Sequence, residues 1–410
     1  MAEAPAVTAR RPAAAAVIAS EDEAVAVARA LADRIAPTAA ERDRAGAVPR
    51  EALALLDRSG LIGITVPPRY GGAGVRPAVL AEVLRLIAAA DPAIAQIPQG
   101  HFLVVDVLRV HGSERQRRRW FADILDGGRF ASALAERGAH HAQDLRTTVG
   151  ERDGRVLLSG RKYYCTGALT ARALAVSARD RDGRLTLALV PATAPGITLD
   201  EDWSTMGQRA TVSGGATLDD VIVDRDDLID YAAAFEAPQQ LGARAQLVHT
   251  AIEVGIAGGA LRDARDFVRT RARPFFEAVL GGWGDTAGED PHATLRFGRL
   301  ATRVRAAEQL LRWAAEELEQ VGLVPADAEA AARGSLAVAQ AKAFGSEVAV
   351  EVSSELFALA GASATDERYA LSRHWRNSRT HSVHDPVDWK YHHLGAYLLN
   401  DVLPPNHGQL

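Results

Sequence analysis

The sequence predicts a mostly α-helical protein with a central antiparallel β domain, and three observations carry that prediction. Apolar residues recur at helical spacing from Ser20 to about Asp126. From about residue 127 to 228 the texture changes to short β-compatible runs, two pairs of which are joined by Asp-Gly, the strongest short-range hairpin signal. From about Phe235 the helical period returns in long runs. Helices, then strands, then helices is not the βαβ alternation of a doubly wound sheet.

The elements follow in order. Residues 1–19 read as a disordered leader; Arg10 and Arg11 before Pro12–Ala19 only loosely mimic a secretion signal, because the apolar part is short and mostly alanine. Ser20 with Glu23 reads as a capping box opening a helix through Glu41. Helical patterns cover Glu51–Ser59, Ala78–Ala90 and Ala93–His111, with a turn at Val66–Gly72. This gives an N-terminal helical domain over 20–126. A middle β domain follows over 127–232. It has a strand at Phe130–Glu136, hairpins about Asp153-Gly154 and Asp182-Gly183, and strands at Ile197–Asp200 and Ala216–Val223. A helical bundle domain over 233–410 contains Leu241–Arg271, His292–Val321 and Asp327–Leu359.

Composition narrows the function classes. A chain of 410 residues is too long for one simple core. The formal charge of −5 offers no basic excess for a nucleic acid. The single cysteine, Cys165, excludes an internal disulfide or a multi-thiolate metal site and fits a reducing cytoplasm. No run approaches the roughly 20 apolar residues that span a bilayer. No GxGxxG follows a strand, and there is no GxxxxGK[ST] loop.

Four short segments, in order, carry a family likeness. Pro67 running into Tyr70-Gly71-Gly72-Ala73-Gly74 looks like a P-x-x-Y-G-G-x-G turn. Lys162-Tyr163-Tyr164-Cys165-Thr166-Gly167-Ala168 looks like a K-x-(W/Y)-I-T-N-A strand, Met206-Gly207-Gln208-Arg209 like an M-G-x-R turn, and Arg373–Arg379 like an R-x-x-R-D-x-R segment. Together they resemble the acyl-CoA dehydrogenase family across about residues 25–405. The resemblance implies a helical N-domain, a β-barrel-like middle and a four-helix-bundle C-domain. Arg379-Thr380-His381-Ser382-Val383-His384-Asp385-Pro386 further resembles the R-T-H-x-x-H-D-P signature of the dibenzothiophene monooxygenase and sulfur-acquisition branch.

That branch implies a two-component flavin-dependent monooxygenase. Reduced FMN comes from a separate reductase, oxygen adds at flavin C4a to give a (hydro)peroxyflavin, and an organosulfur or related heteroatom compound takes up one oxygen atom. Thr166 falls where the family places a hydroxyl against flavin N5, with Tyr164 and Ser132 beside the ring; Ser132 stands where the branch often has Asn. Arg271 and Arg273, at the end of a long helix, are the candidates for the FMN phosphate of a neighbouring subunit, although a helix C-terminus attracts arginine in any case. Lys390 is counted with the cofactor-binding residues. The stretch Ala360-Gly361-Ala362-Ser363-Ala364 has lost part of a glycine-rich turn that would approach an adenylate, which favours FMN over FAD.

Catalysis is assigned first to His384 and second to His381, since an imidazole of ordinary pKa about 6.5 donates or accepts a proton at neutral pH. His101 is placed in the substrate cavity by the resemblance, whereas its apolar helix alone suggests a satisfied core histidine. His381, His384 and Asp385 have the composition of a two-histidine, one-carboxylate triad, but ligands from one helix converge poorly and Pro386 ends the helix; no metal is expected. Two alternatives stay open. Counted forward from Arg376, the dehydrogenase base position falls on Asp385, which also stands as a substrate-binding candidate; Glu253 is a second possible base, read otherwise as an ordinary helix residue. A flavin-free assembly scaffold is the third reading. A homotetramer with no nucleic acid or membrane partner is the family expectation.

Overall fold

The computed structural model describes residues 15–141 and 143–410. Most of the expected leader lies outside these residues. Its last five are docked rather than disordered: the Ala16 amide donates to the Arg58 carbonyl at 3.0 Å, and Ile18 is buried.

The first helices are α1 (Glu21–Ile35), α2 (Ala39–Ala45), α3 (Arg50–Arg58), α4 (Pro77–Ala90), α5 (Pro92–Gln96), α6 (Gln99–His111) and α7 (Glu114–Leu125). Ser20 Oγ caps α1 at the Glu23 amide, and the Glu23 carboxylate answers at Ala19 rather than Ser20. The run expected as one helix over Ala93–His111 is two, because Pro98 has no N–H to continue the ladder. Asp91 opens α5 by accepting from the Ala93 and Ile94 amides.

The strands are β1 (Phe130–Ala133), β2 (Thr148–Arg152), β3 (Arg155–Lys162), β4 (Ala173–Arg179), β5 (Leu185–Pro191), β6 (Ile197–Leu199), β7 (Ala216–Val223) and β8 (Leu228–Asp230), in the order β6-β7-β3-β2-β4-β5-β8 with β1 beside β4. Asp153 and Gly154 sit at φ 51° and 73°, the left-handed pair a two-residue hairpin requires, and Arg152 faces Arg155 across it. Two pairings depart from the antiparallel expectation: β1 runs parallel to β4, and Thr148 of β2 meets Arg179 of β4 in parallel.

The remaining helices are α8 (Ala233–Glu236), α9 (Leu241–Thr270), α10 (Phe276–Leu280), α11 (Pro291–Val321), α12 (Ala328–Ala360), α13 (Ser372–Ser382) and α14 (Val387–Asn400). The apolar faces of α1, α4 and α6 share one continuous core with α9, α11 and α12, while the sheet closes over a second. Gly255 and Gly259 allow that merger, since a Cβ at either would press on the Arg85 or Ala89 carbonyl of α4.

The segment before β7 is keyed to the bundle at α13. A Cβ on Gly207 would overlap the Arg376 carbonyl of α13. The Gln208 amide donates to Asn377 Oδ1 at 2.5 Å, and the Arg376 guanidinium donates to the Met206 carbonyl at 2.9 Å while pairing with Asp43 of α2. All three parts of the chain therefore meet at Arg376. Among the described residues no helix is long and apolar enough to cross a membrane.

Candidate active site

Two groups of polar side chains are candidates for the site: one at the end of β3 and in the segment after it, the other on α9, α12 and α13. Lys162 ends β3 with its ammonium buried, donating to Glu136 Oε1 at 2.8 Å and to Ser177 Oγ at 3.2 Å. Glu136, just past the end of β1, is a largely buried anchor. Burial raises its pKa, but Lys162, Thr147 and two backbone amides outweigh that and hold it at about 2. This pair fixes the chain before it turns at Tyr164, which lies at φ 62° and is 56% exposed, edge-on to Tyr163 and Trp203. Thr166 follows, half-buried, with Oγ1 2.7 Å from Ser213 Oγ. Ser213 Oγ lies 2.8 Å from Thr211 Oγ1, which donates to the Gln208 carbonyl at 2.8 Å. Cys165 between them is buried, and burial pushes its thiol up to about 12, so it is no nucleophile at neutral pH. Ser132 is half-buried on β1 and packs against Gly100 of α6.

The second group is built on helical i, i+4 pairs. His249 and Glu253 project from α9, Lys342 and Ser346 from α12, and all four are buried. Glu253 accepts from Lys342 Nζ at 2.7 Å, Ser346 Oγ at 2.5 Å and His381 Nδ1 at 2.9 Å. Burial pushes its pKa up, yet Lys342 and His381 together leave it below the usual carboxylate range. His381 Nε2 lies 3.1 Å from His249 Nδ1 and 3.0 Å from the Gln96 side-chain amide. Burial lowers the pKa of both imidazoles, that of His249 well below its ordinary value. His384 caps the group: its ring lies 4.2 Å from that of His249, and Nδ1 is 2.9 Å from Asp385 Oδ1. Its side chain is 43% exposed, so Nε2 is the ring nitrogen left to meet a ligand.

Several expectations are corrected. His101 is fully buried, with Nδ1 accepting from the Phe130 amide at 3.2 Å and Nε2 bonded to the Ile62 carbonyl at 3.0 Å. Both nitrogens are consumed by backbone, and burial brings its pKa down to about 3, so it is a core histidine and not a catalytic or substrate-binding one. Lys390 is buried, 2.8 Å from Asp385 Oδ2, and donates to the Gln409 carbonyl, so it is internal rather than cofactor-binding. Asp385 is likewise buried between His384 and Lys390 and offers no surface to a substrate. Glu253 is the anchor of a network rather than an ordinary helix residue. Arg271 lies over the Tyr369 ring at 5.2 Å, and both it and Arg273 are exposed at the end of α9. Among the described residues no group of three or more His, Cys, Asp or Glu is placed to hold a metal ion.

Sequence reasoning missed His249, Gln96, Ser213 and Thr211. The signal for the first was present: polar pairs one turn apart on two otherwise apolar helices. The link between the two groups is Asn377, which holds Gln208 and stands one helical turn before His381 on α13.

Family models described as acyl-CoA dehydrogenase N-terminal, middle and C-terminal domains match residues 20–128, 131–221 and 247–389. Dibenzothiophene monooxygenase of Rhodococcus erythropolis is 33% identical, covering 94% of this chain and 95% of its own. A probable FMNH2-dependent monooxygenase, SfnC, of Pseudomonas putida is also 33% identical, over 93% and 96% of the two chains. The crystal structure of FMN-bound TdsC from Paenibacillus sp. A11-2 superposes with a TM-score of 0.89 at 29% identity, over 94% of this chain and 100% of that one.

Proposed function

The chain belongs to the acyl-CoA dehydrogenase family, and on that footing we propose that it is an FMN-dependent monooxygenase that takes reduced flavin from a separate reductase and oxygenates an organosulfur compound. The residues present fit a flavin. The Thr166 hydroxyl stands half-buried in the turn after β3, and the exposed Tyr164 beside Trp203 offers a flat apolar surface. Reduced FMN supplies the two electrons with which dioxygen is divided between substrate and water.

One observation favours oxygenation over dehydrogenation. The carboxylate at the expected base position, Asp385, is buried; burial raises its pKa, but His384, Lys342 and Lys390 outweigh that and hold it well below the usual range. A base abstracting an α-proton works best with a pKa near the working pH. Glu253 is locked in the same way by Lys342, Ser346 and His381. What the chain presents instead is the His384 imidazole. Asp385 accepts its Nδ1 proton and so fixes the tautomer, His249 lies against the ring, and Nε2 is left as the acceptor that would take up a proton at the site and, once protonated, return it. Thr166 orients the flavin edge.

His384 and Tyr164 are both exposed in the single chain, and closing the site against water calls for a second copy. The exposed apolar residues of the last helix and tail, Trp389, Leu398, Leu399 and Val402, support the expected homotetramer, in which Arg271 and Arg273 reach a neighbouring phosphate.

The test supplies reduced FMN, oxygen and dibenzothiophene, and in parallel an acyl-CoA with an electron acceptor. The sulfoxide forms only in the first. Turnover of the acyl-CoA reverses the assignment, and failure to bind FMN leaves only the scaffold reading. His384→Ala keeps flavin binding and diverts oxygen to hydrogen peroxide; unchanged coupling removes His384 from the mechanism.

A further inference from the structure

Four oxygens stand in a row beside the expected flavin edge: Thr166 Oγ1, Ser213 Oγ, Thr211 Oγ1 and the Gln208 carbonyl, with spacings of 2.7, 2.8 and 2.8 Å. Each spacing requires a proton, because two lone pairs facing each other at that distance repel. The row has three gaps and three hydroxyls, each with one proton, and the carbonyl has none to give. The assignment is therefore forced. Thr211 donates to Gln208, Ser213 donates to Thr211, and Thr166 donates to Ser213. Thr166 Oγ1 is left with lone pairs only toward the open side.

The row is held in place by strain and burial. Gln208 and Val212 sit at φ 51° and 45°, and a β-branched residue in the left-handed region persists only where its surroundings impose it. Thr211 and Ser213 are both buried. The Gln208 carbonyl is fixed further by Trp203 Nε1 at 3.0 Å, and its amide by Asn377.

We propose that Thr211 and Ser213 are positioning residues that make Thr166 an obligate hydrogen-bond acceptor, and so make the site select reduced over oxidised FMN. The inference rests on the flavin reading above. Reduced FMN carries a proton on N5 and meets the Thr166 lone pair favourably. Oxidised FMN presents a lone pair at N5 and finds no donor there. Product flavin is thereby released for the reductase to recharge, and the reduced form is retained until oxygen arrives.

The experiment measures dissociation constants of the full-length protein for oxidised FMN by fluorescence quenching and for reduced FMN by anaerobic titration. Thr211→Val removes a hydroxyl two links from Thr166 while keeping its shape. Ser213 then turns its proton toward Thr166, and Thr166 turns its own toward the flavin. The preference for the reduced form should fall about tenfold, the size of one net hydrogen bond. The midpoint potential of bound flavin should fall by about 30 mV for this two-electron couple. Ser213→Ala should act in the same direction, and Ser213→Thr, which keeps the hydroxyl, should restore the ratio. A merely structural role would weaken both flavin forms alike, and an unmoved ratio in Thr211→Val overturns the relay while leaving the monooxygenase reading intact. A wild-type protein that binds neither form overturns both.

Discussion

Replacing Lys342 with methionine keeps the reach of the side chain and deletes the ammonium that lies 2.7 Å from Glu253 Oε1. Both side chains are essentially inaccessible, at 1% and 0% exposure, so water cannot take the place of the lost partner. Breaking a buried pair by removing one member costs ~3–5 kcal/mol. Here the carboxylate keeps Ser346 Oγ at 2.5 Å and His381 Nδ1 at 2.9 Å, which places the expected loss near the low end, about 3 kcal/mol. The histidine offers a second readout. Its pKa is lowered by burial first, and Lys342 contributes to the lowering. Removing that charge raises it toward the ordinary value, so less stability is lost as pH falls. Lys342→Met should therefore recover part of its deficit relative to wild type between pH 8 and pH 6. The assay is urea denaturation across that range, with Glu253→Gln and the double variant completing a cycle. The two single losses should exceed the double loss by roughly 0.5–3 kcal/mol. A Lys342→Met protein within about 0.5 kcal/mol of wild type, or strict additivity, would refute the account of the network.

Two further outcomes are expected. His101→Phe leaves the Phe130 amide and Ile62 carbonyl unpaired and should cost about 2–4 kcal/mol at pH 8. The wild-type ring stays neutral in the fold down to about pH 3, while the unfolded chain protonates below its ordinary 6.5. Wild-type stability present above 6.5 is thus lost on acidification by roughly 1.4 kcal/mol per pH unit from this residue. The gap to His101→Phe should narrow between pH 7 and 5; a constant gap in denaturation midpoints would be inconsistent with a neutral core imidazole. Gly207→Ala should push the sheet off α13 and cost about 1–3 kcal/mol or more, seen as a lower melting temperature. An unshifted melting curve would show that the contact is slack.

Much of this architecture is readable from local chemistry. The Asp153-Gly154 hairpin follows from two residues that tolerate positive φ, and the run over Ala216–Val223 is observed with those bounds. The long helices α9, α11 and α12 follow from their period. What escaped depends on distant partners. The parallel pairing of β1 with β4 joins Phe130 to Ala173, with no local signal between them. The apolar neighbours of His101 already pointed to a core histidine, and only the resemblance drew it to the cavity; the groups that consume it come from residues 39 and 29 positions away. The pair His381 and His384 was legible as a motif. That His384 is the open ring and His381 the buried one is set by Glu253 and His249 on another helix. Thr166 was visible, but the row behind it needed the Gln208–Ser213 turn to fold back from more than forty residues downstream.

The continuous core shared by α4 and α9 has a bearing on how the polypeptide is made. The apolar side of α4 leaves the ribosome well before the glycines of α9 that will cover it, a gap of roughly 10–30 s at ordinary elongation rates. The β domain emerges in between with a core of its own and has what it needs to close first. The nascent N-terminal third must wait with its greasy surface uncovered until the bundle arrives, which makes it a natural client for a chaperone and a poor choice for expression as an isolated fragment.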